Sequence, residues 1–459
     1  MQAIGQTISA SQGRAWGQLP ALSLISAFGL LLIAMAYTSS RAGASWGELL
    51  FWAGLLVMAV PIASRLITLE ASRAERLGLL VWLGLALYAA KVMHSPFAFT
   101  FADELIHAGS ANAILQSGHL FTAVPMLPAI SYYPGLETVT AALASLTGLT
   151  VFDAGVIVLA AARLVQIIAL YLFFEQVSRS TRVAGIATLL YMANSNFIFW
   201  SAQFSYESLA LPLGVLLLFA VARREALPDS RTRRGWTVVA LLVSLAVVIT
   251  HHLSSYALVV FLWAVLAVSR LQHNRLRIWD VGLFTSLAVV IWLVSIASIT
   301  IGYLTPVISG AVTSTIQLIT GEETGRELFR STSGYLAPLW ERLTGIGSAL
   351  IVALAWPFGA LRVWRQRHSN PAAVVLAAAA LAYCGSLLLR FSPAAWEVGN
   401  RASEFLFLGV AFVAAMAVVE VGMPHRTDWR RRAMFAVCVA IVFMGGVIAG
   451  WPPSVRLPP

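Results

Sequence analysis

The sequence predicts an all-α, polytopic membrane protein with about thirteen transmembrane helices in one domain, 1–459. Three observations predict it. Of 459 residues, 59% are hydrophobic and only 11% are charged, whereas soluble domains carry roughly 25% charged residues. Mean hydropathy is +0.82. Apolar runs of about 20 residues, the length that crosses a bilayer core, recur along the chain and alternate with short arginine clusters. This composition excludes a soluble enzyme. The net charge of +10 comes from those clusters, where positive charge sets topology rather than nucleic-acid affinity.

In chain order, spans are expected at 20–38, 47–67, 76–94, 152–176, 183–200, 208–222, 236–250, 254–270, 278–301, 343–362, 371–390, 403–422 and 433–450. The first resembles the others and precedes no convincing cleavage site, so it reads as a signal anchor. A cytoplasmic N-terminus puts 21 of the 30 basic residues on the cytoplasmic side, among them Arg14, Arg65, Arg182, Arg224, Arg275, Arg367 and Arg426. The outer side receives Arg41, Lys91, Arg326, Arg330, Arg342, Arg390, Arg401 and Arg456, while Arg163 falls inside a span with no visible partner. That is a strong positive-inside bias. The stretch 135–150 is apolar but too short for a span; counting it would put RREALPDSRTRR and RTDWRRR outside. Two long outer loops follow, 95–150 with juxtamembrane helices and 302–342, and function tends to sit in such loops. No soluble domain is expected after the last span, which leads into WPPSVRLPP. Cys384 and Cys438 lie in apolar runs and read as small core residues. Arginine is used almost to the exclusion of lysine, Lys91 being the sole one, which suggests a bacterial source.

The first outer loop reads FTFADELIHAGSANAILQSGHLF, then SYYPGLETVTAALASLTGL. No Lys or Arg occurs from 92 to 162, so Asp103, Glu104, Glu137 and Asp153 lack a local cationic partner. Residues 103–117 have a helical pattern, with Leu105, Ile106, Ala113 and Ile114 suited to the membrane surface and Gly118 as a stop. On that helix Asp103 and His107 are four apart and Glu104 and His107 three apart, which gathers two carboxylates and an imidazole at one helix start. Capping requires one acid, which leaves the other for catalysis or metal binding.

An Asp103–Glu104 pair in a long first outer loop, followed by Tyr132, Tyr133, Pro134, Gly135 and Leu136 leading into the next helix, resembles the GT-C glycosyltransferases. These include protein O-mannosyltransferases, oligosaccharyltransferases and aminoarabinose transferases, and they use polyprenyl-phosphate-linked sugars. The resemblance covers the multi-span architecture and these short motifs; two or more spans precede the acidic loop here, where many members have one. It implies a GT-C-like bundle with chemistry at the outer face. It directs attention to Glu207 in WSAQFSYESLALPL as a second catalytic acid, with Tyr206 and Gln203 as possible sugar contacts. It also implies a divalent metal ion, for which Glu104 with His251 and His252 of THHLSSY would be ligands, although a polar turn capping two helices explains the histidines equally. Arg401 in AAWEVGNRASEFLFLG could hold the donor phosphate bidentately, or pair locally with Glu404. Lys91 could also reach that phosphate, or simply snorkel to the interface. His107, Tyr132, Tyr133, Tyr206 and Glu404 are the expected substrate contacts. Glu322, Glu323 and Glu327 read as a solvated face of the loop that covers the donor in GT-C enzymes.

The expected function is transfer of a hexosyl or pentosyl group, with inversion, from a polyprenyl-phosphate donor to a glycan, lipid or protein acceptor, with Asp103 as general base, Glu104 and Glu207 assisting, and Arg401 and Lys91 on the phosphate. The expected location is the bacterial cytoplasmic membrane, with the active site at the extracytoplasmic face. The alternative is a transporter or lipid-linked-glycan flippase that uses Arg163 and the outer acids.

Overall fold

A chain this apolar can satisfy its backbone in lipid only by closing hydrogen bonds within helices. The computed structural model does so; it describes residues 16–124, 126–274, 276–330, 334, 336–420 and 429–458. Arg14, Arg275 and Arg426, used above to orient the chain, lie outside the described residues.

The helices are α1 (Leu19–Arg41), α2 (Gly47–Leu66), α3 (Arg73–His94), α4 (Ala102–Ser117), α5 (Gly135–Thr147), α6 (Val151–Ser178), α7 (Thr181–Met192), α8 (Tyr206–Ala226), α9 (Ser230–Thr250) and α10 (His252–Leu271). They continue with α11 (Trp279–Ser295), α12 (Ile299–Thr320), α13 (Leu339–Arg367), α14 (Pro371–Leu389), α15 (Trp396–Glu420), α16 (Trp429–Gly450) and α17 (Pro453–Arg456). Twelve are long and apolar enough to cross a membrane, and α11 is a shorter apolar helix. The protein is a multi-pass membrane protein.

Side-chain ties place the helix ends. At one end Arg65 binds Glu75 at 2.7 Å, Arg73 binds Glu175 at 2.8 Å, Arg182 donates to the Ile67 carbonyl, Arg224 binds Asp280 at 2.8 Å, and Arg367 donates to the Ser178 carbonyl. This is the basic end. The opposite, acidic end holds α4, α5, the starts of α8 and α15 and the α9–α10 turn. Among the described residues the chain passes between the two ends thirteen times. α1 and α2 lie close because Gly29 and Gly54 face each other's backbone, and a Cβ on Gly29 would stand 2.7 Å from the Gly54 carbonyl oxygen.

Two segments differ from the expected spans. The passage expected at 183–200 is helical only in α7, then irregular to Gln203 apart from a 3₁₀ turn at Trp200–Ala202. Such backbone survives inside a bundle only where protein groups satisfy it. Here Asn194 accepts from the Asn196 N–H at 2.8 Å, the Asn196 amide donates to the Asn400 carbonyl at 3.1 Å, and Arg163 donates to the Phe197 carbonyl at 2.6 Å. Arg163, whose partner the sequence hid, is thus a clasp for this segment. The second difference is α12, which runs through the expected loop 302–342. It is long and apolar enough to span, yet near its start Tyr303 meets His252 with ring centroids 6.5 Å apart, and just past its end the Arg326 N–H reaches the Phe391 carbonyl at 2.7 Å, both at the acidic end. It therefore lies along that end. Gly302, Pro306 and Gly310 disguise it as loop in the sequence.

The tail after α16 folds back into the acidic end. Trp451 is buried and stacks on Phe199 with centroids 5.0 Å apart and an interplanar angle of 15°. Arg456 forms a buried double contact with Glu341, at 2.6 and 3.4 Å, over the Trp52 ring.

Candidate active site

α4 carries its chemistry on the inward side. Glu104, His107, Ser110 and Ala111 are buried, while Leu105 is 55% exposed. The spacing of three, four and seven makes one helix face, and it turns to the protein, while the exposed side mixes Leu105 and Leu115 with Asn112 and Gln116, and Ile106, Ala113 and Ile114, expected at the membrane surface, are half-buried. Gly118 ends the helix in a left-handed conformation, φ +70°, as expected for the stop.

The two adjacent acids have different surroundings. Glu104, at the third helical position, is fully buried and accepts from the Thr100, Phe101 and Phe204 N–H groups, each at 3.3 Å, and from Lys91 Nζ. It caps α4 and ties α3 to the irregular segment before α8. Lys91 is buried in this pair and lies 5.4 Å from the Phe101 ring centroid. Asp103 is half-buried and has no hydrogen-bond partner among the described residues; its charge acts on Tyr206 and Arg401.

α8 and α15 contribute the next layer. Glu207 is buried in the first turn of α8, with Oε2 3.4 Å from Arg401 Nη1. Arg401 Nε lies 3.4 Å from Glu397, one turn earlier on α15. Glu404 is buried on α15, close enough to Glu207 and Arg401 for their charges to act on it. Glu207 Oε1 and Glu404 Oε2 have no hydrogen-bond partner among the described residues.

The α9–α10 turn closes the site. His251 stacks on Tyr206 with centroids 4.4 Å apart and bonds Ser254 through Nδ1 at 2.8 Å. Burial, then the charges of His252, Arg401 and His107, hold its imidazole well below the ordinary histidine range, so it is neutral. His252 packs on Tyr133 at 5.1 Å. Burial raises the Tyr133 hydroxyl above the usual phenol range. Tyr132 accepts at its carbonyl from Trp292 Nε1 at 3.0 Å and stands half-buried at the rim.

Asp103, Tyr206, Glu207, His251, His252, Arg401 and Glu404 therefore gather at one end of the bundle. Two expected roles meet a different setting. Lys91 is enclosed by Glu104 instead of being open to a phosphate, and Glu104, with an ammonium and three amides already upon it, has no position left for a cation. Glu104, His251 and His252 do not converge, and no group of three His, Cys, Asp or Glu side chains able to hold a metal ion occurs among the described residues. The donor set does not fit the metal that the resemblance implied. Sequence reasoning noted Glu137 as an acid without a cation but gave it no role, and it bonds His107; Glu397 and Asn196 were missed. For Glu137 there was a signal: an acid with no cation near it, in a stretch too apolar for a solvated loop.

No family model and no curated protein matches the chain. Among solved structures, it is similar to the archaeal oligosaccharyltransferase AglB from Archaeoglobus fulgidus in complex with an inhibitory peptide and a dolichol-phosphate. The TM-score is 0.50 at 12% identity, covering 90% of this chain and 57% of that one. It is also similar to ArnT from Cupriavidus metallidurans bound to undecaprenyl phosphate, with a TM-score of 0.47 at 16% identity over 78% of this chain and 62% of that one. The chain spans less than two thirds of the length of either. The likeness to AglB is one of architecture: the two chains share a fold.

Proposed function

We propose that the protein is a membrane glycosyltransferase that moves a sugar from a polyprenyl-phosphate donor to an acceptor at the extracytoplasmic face. The observation that carries this reading is Asp103: an acid left unbonded at the acidic end of a fold shared with AglB, close enough to Arg401 for their charges to interact. The dolichol-phosphate bound by AglB is the kind of carrier the reading requires. The cluster of arginines at the other end supports a cytoplasmic position for that end.

In the proposed reaction the acceptor oxygen attacks the anomeric carbon from the face opposite the phosphate. The carbon–oxygen bond to the phosphate breaks with inversion, Asp103 takes the acceptor's proton, and the lipid phosphate leaves with the bonding pair. Arg401 meets the charge that develops on the leaving phosphate, since its side chain is 37% exposed whereas Lys91 is enclosed. No step runs through a metal. A transporter or flippase would use Arg163 as a mobile intramembrane charge, but Arg163 is bonded to the Phe197 carbonyl and Gln166.

Reconstituted protein supplied with radiolabelled polyprenyl-phosphate sugars and membrane extract as acceptor source tests the reading. Wild type should consume donor; Asp103→Asn should slow transfer at least about 100-fold, and Arg401→Gln should weaken donor use. Donor untouched by wild type, or transfer by Asp103→Asn at the wild-type rate, would overturn it.

A further inference from the structure

Glu137 stands in the first turn of α5, with Oε1 2.5 Å from His107 Nδ1 on α4. Both side chains are almost wholly buried, at 0% and 3% exposure. α5 is pressed inward at this point: Gly135 lies against Thr250 with no room for a Cβ, and Leu136 is buried. The second carboxylate oxygen, Oε2, has no hydrogen-bond partner among the described residues, and among them His107 is the side chain that holds Glu137 in place.

The two nitrogens of an imidazole lie on opposite sides of the ring, so a bond from Nδ1 to α5 turns Nε2 away from α5. The ring meets Tyr206 edge to face, with centroids 4.6 Å apart at 87°, and Tyr206 in turn stacks on His251. Asp103 lies one turn before His107 on the same face of α4. Charged and titratable groups near the ring include Asp103 and Glu104 on α4, Glu137 on α5, Tyr206 on α8, His251 in the α9–α10 turn and, beyond Tyr206, Arg401 on α15.

We infer that Glu137 is a positioning residue for the transferase site. Its carboxylate accepts the Nδ1–H of His107 and so fixes Nε2 as a lone-pair acceptor, which holds a polar hydrogen of the bound substrate beside Asp103. Which imidazole nitrogen carries the proton is set by the partner of the other, and a carboxylate at Nδ1 selects one tautomer where a solvated ring samples both. The inference rests on the transferase reading.

Two measurements test it. In protein labelled with ¹⁵N-histidine in nanodiscs, the His107 signals are those lost in His107→Gln. Wild type should show a protonated Nδ1 and a bare Nε2, and Glu137→Gln should mix or reverse the two. In donor turnover, Glu137→Gln and His107→Gln should each lower kcat about 10- to 100-fold with little change in donor KM, and the double variant should be no slower than His107→Gln alone, since Glu137 acts through His107. An Nε2–H tautomer in wild type, an unchanged tautomer in Glu137→Gln, or losses that multiply in the double variant would overturn the inference. Absence of wild-type turnover would instead sink the transferase reading, and the tautomer signals would still report on the Glu137–His107 bond.

Discussion

Asp103 and Glu104 are chemically near-identical neighbours, and the fold gives them different surroundings. Glu104 is fixed by three backbone amides and an ammonium, while Asp103 keeps its lone pairs. Glu104→Gln strands the Lys91 charge in the interior, and removing one partner of a buried pair costs about 3–5 kcal/mol. Thermal unfolding in detergent should show a large loss for Glu104→Gln and little change for Asp103→Asn, which instead loses activity. His251 supplies a pH dependence. Its proton affinity is lowered by folding, so the unfolded chain binds more protons than the native one once the pH drops toward and below about 6.5, the ordinary histidine value. Stability is therefore present above that pH and lost as the pH falls. Melting temperature should decline from pH 7 to pH 5, and His251→Gln should flatten the decline. The acid pair itself was legible in the sequence, because it sits in a stretch with no cation from 92 to 162. The difference in surroundings was not: two of the three amides on Glu104 belong to the turn just before α4, but the third, Phe204, lies 100 residues away.

Among the elements, α4 was readable down to its Gly118 stop. The passage after α7 was not readable as irregular. Its composition is that of a span, and the break at Asn194, Ser195 and Asn196 is stabilised by groups from α6 and α15 that no local pattern reveals. Arg163 is the most exposed to test. Arg163→Leu leaves the Phe197 carbonyl buried without a donor, at about 1–3 kcal/mol, and should lower the melting temperature and slow donor turnover together. A variant that loses activity with full stability would return Arg163 to a direct substrate role. α12 failed for the opposite reason: glycine and proline gave it the look of a loop, and only its two anchorages, near His252 and near Phe391, reveal a helix lying along the acidic end.

For the molecule as a whole, the alternation of apolar runs with arginine clusters was enough to reach the fold class, since each crossing must return its charges to one side. The convergence of the site was beyond reach, because Arg401 and Glu207 meet across 194 residues of chain. The orientation is testable by cysteine labelling in intact cells: Asp229→Cys at the basic end should react only after permeabilisation and Glu322→Cys at the acidic end without it, and the reverse pattern would invert the topology. The folded-back tail has a consequence for how the protein comes into being. Trp451 supports Phe199, Phe199 packs on Phe101 at 4.8 Å, and Phe101 precedes the helix that bears Asp103. Glu341, inserted far earlier, waits for Arg456 as its buried counter-charge. Synthesis proceeds from the N-terminus, so the loop that forms first is braced by residues that leave the ribosome last, and a nascent chain halted before residue 451 would hold every residue of the candidate site without the brace that sets them.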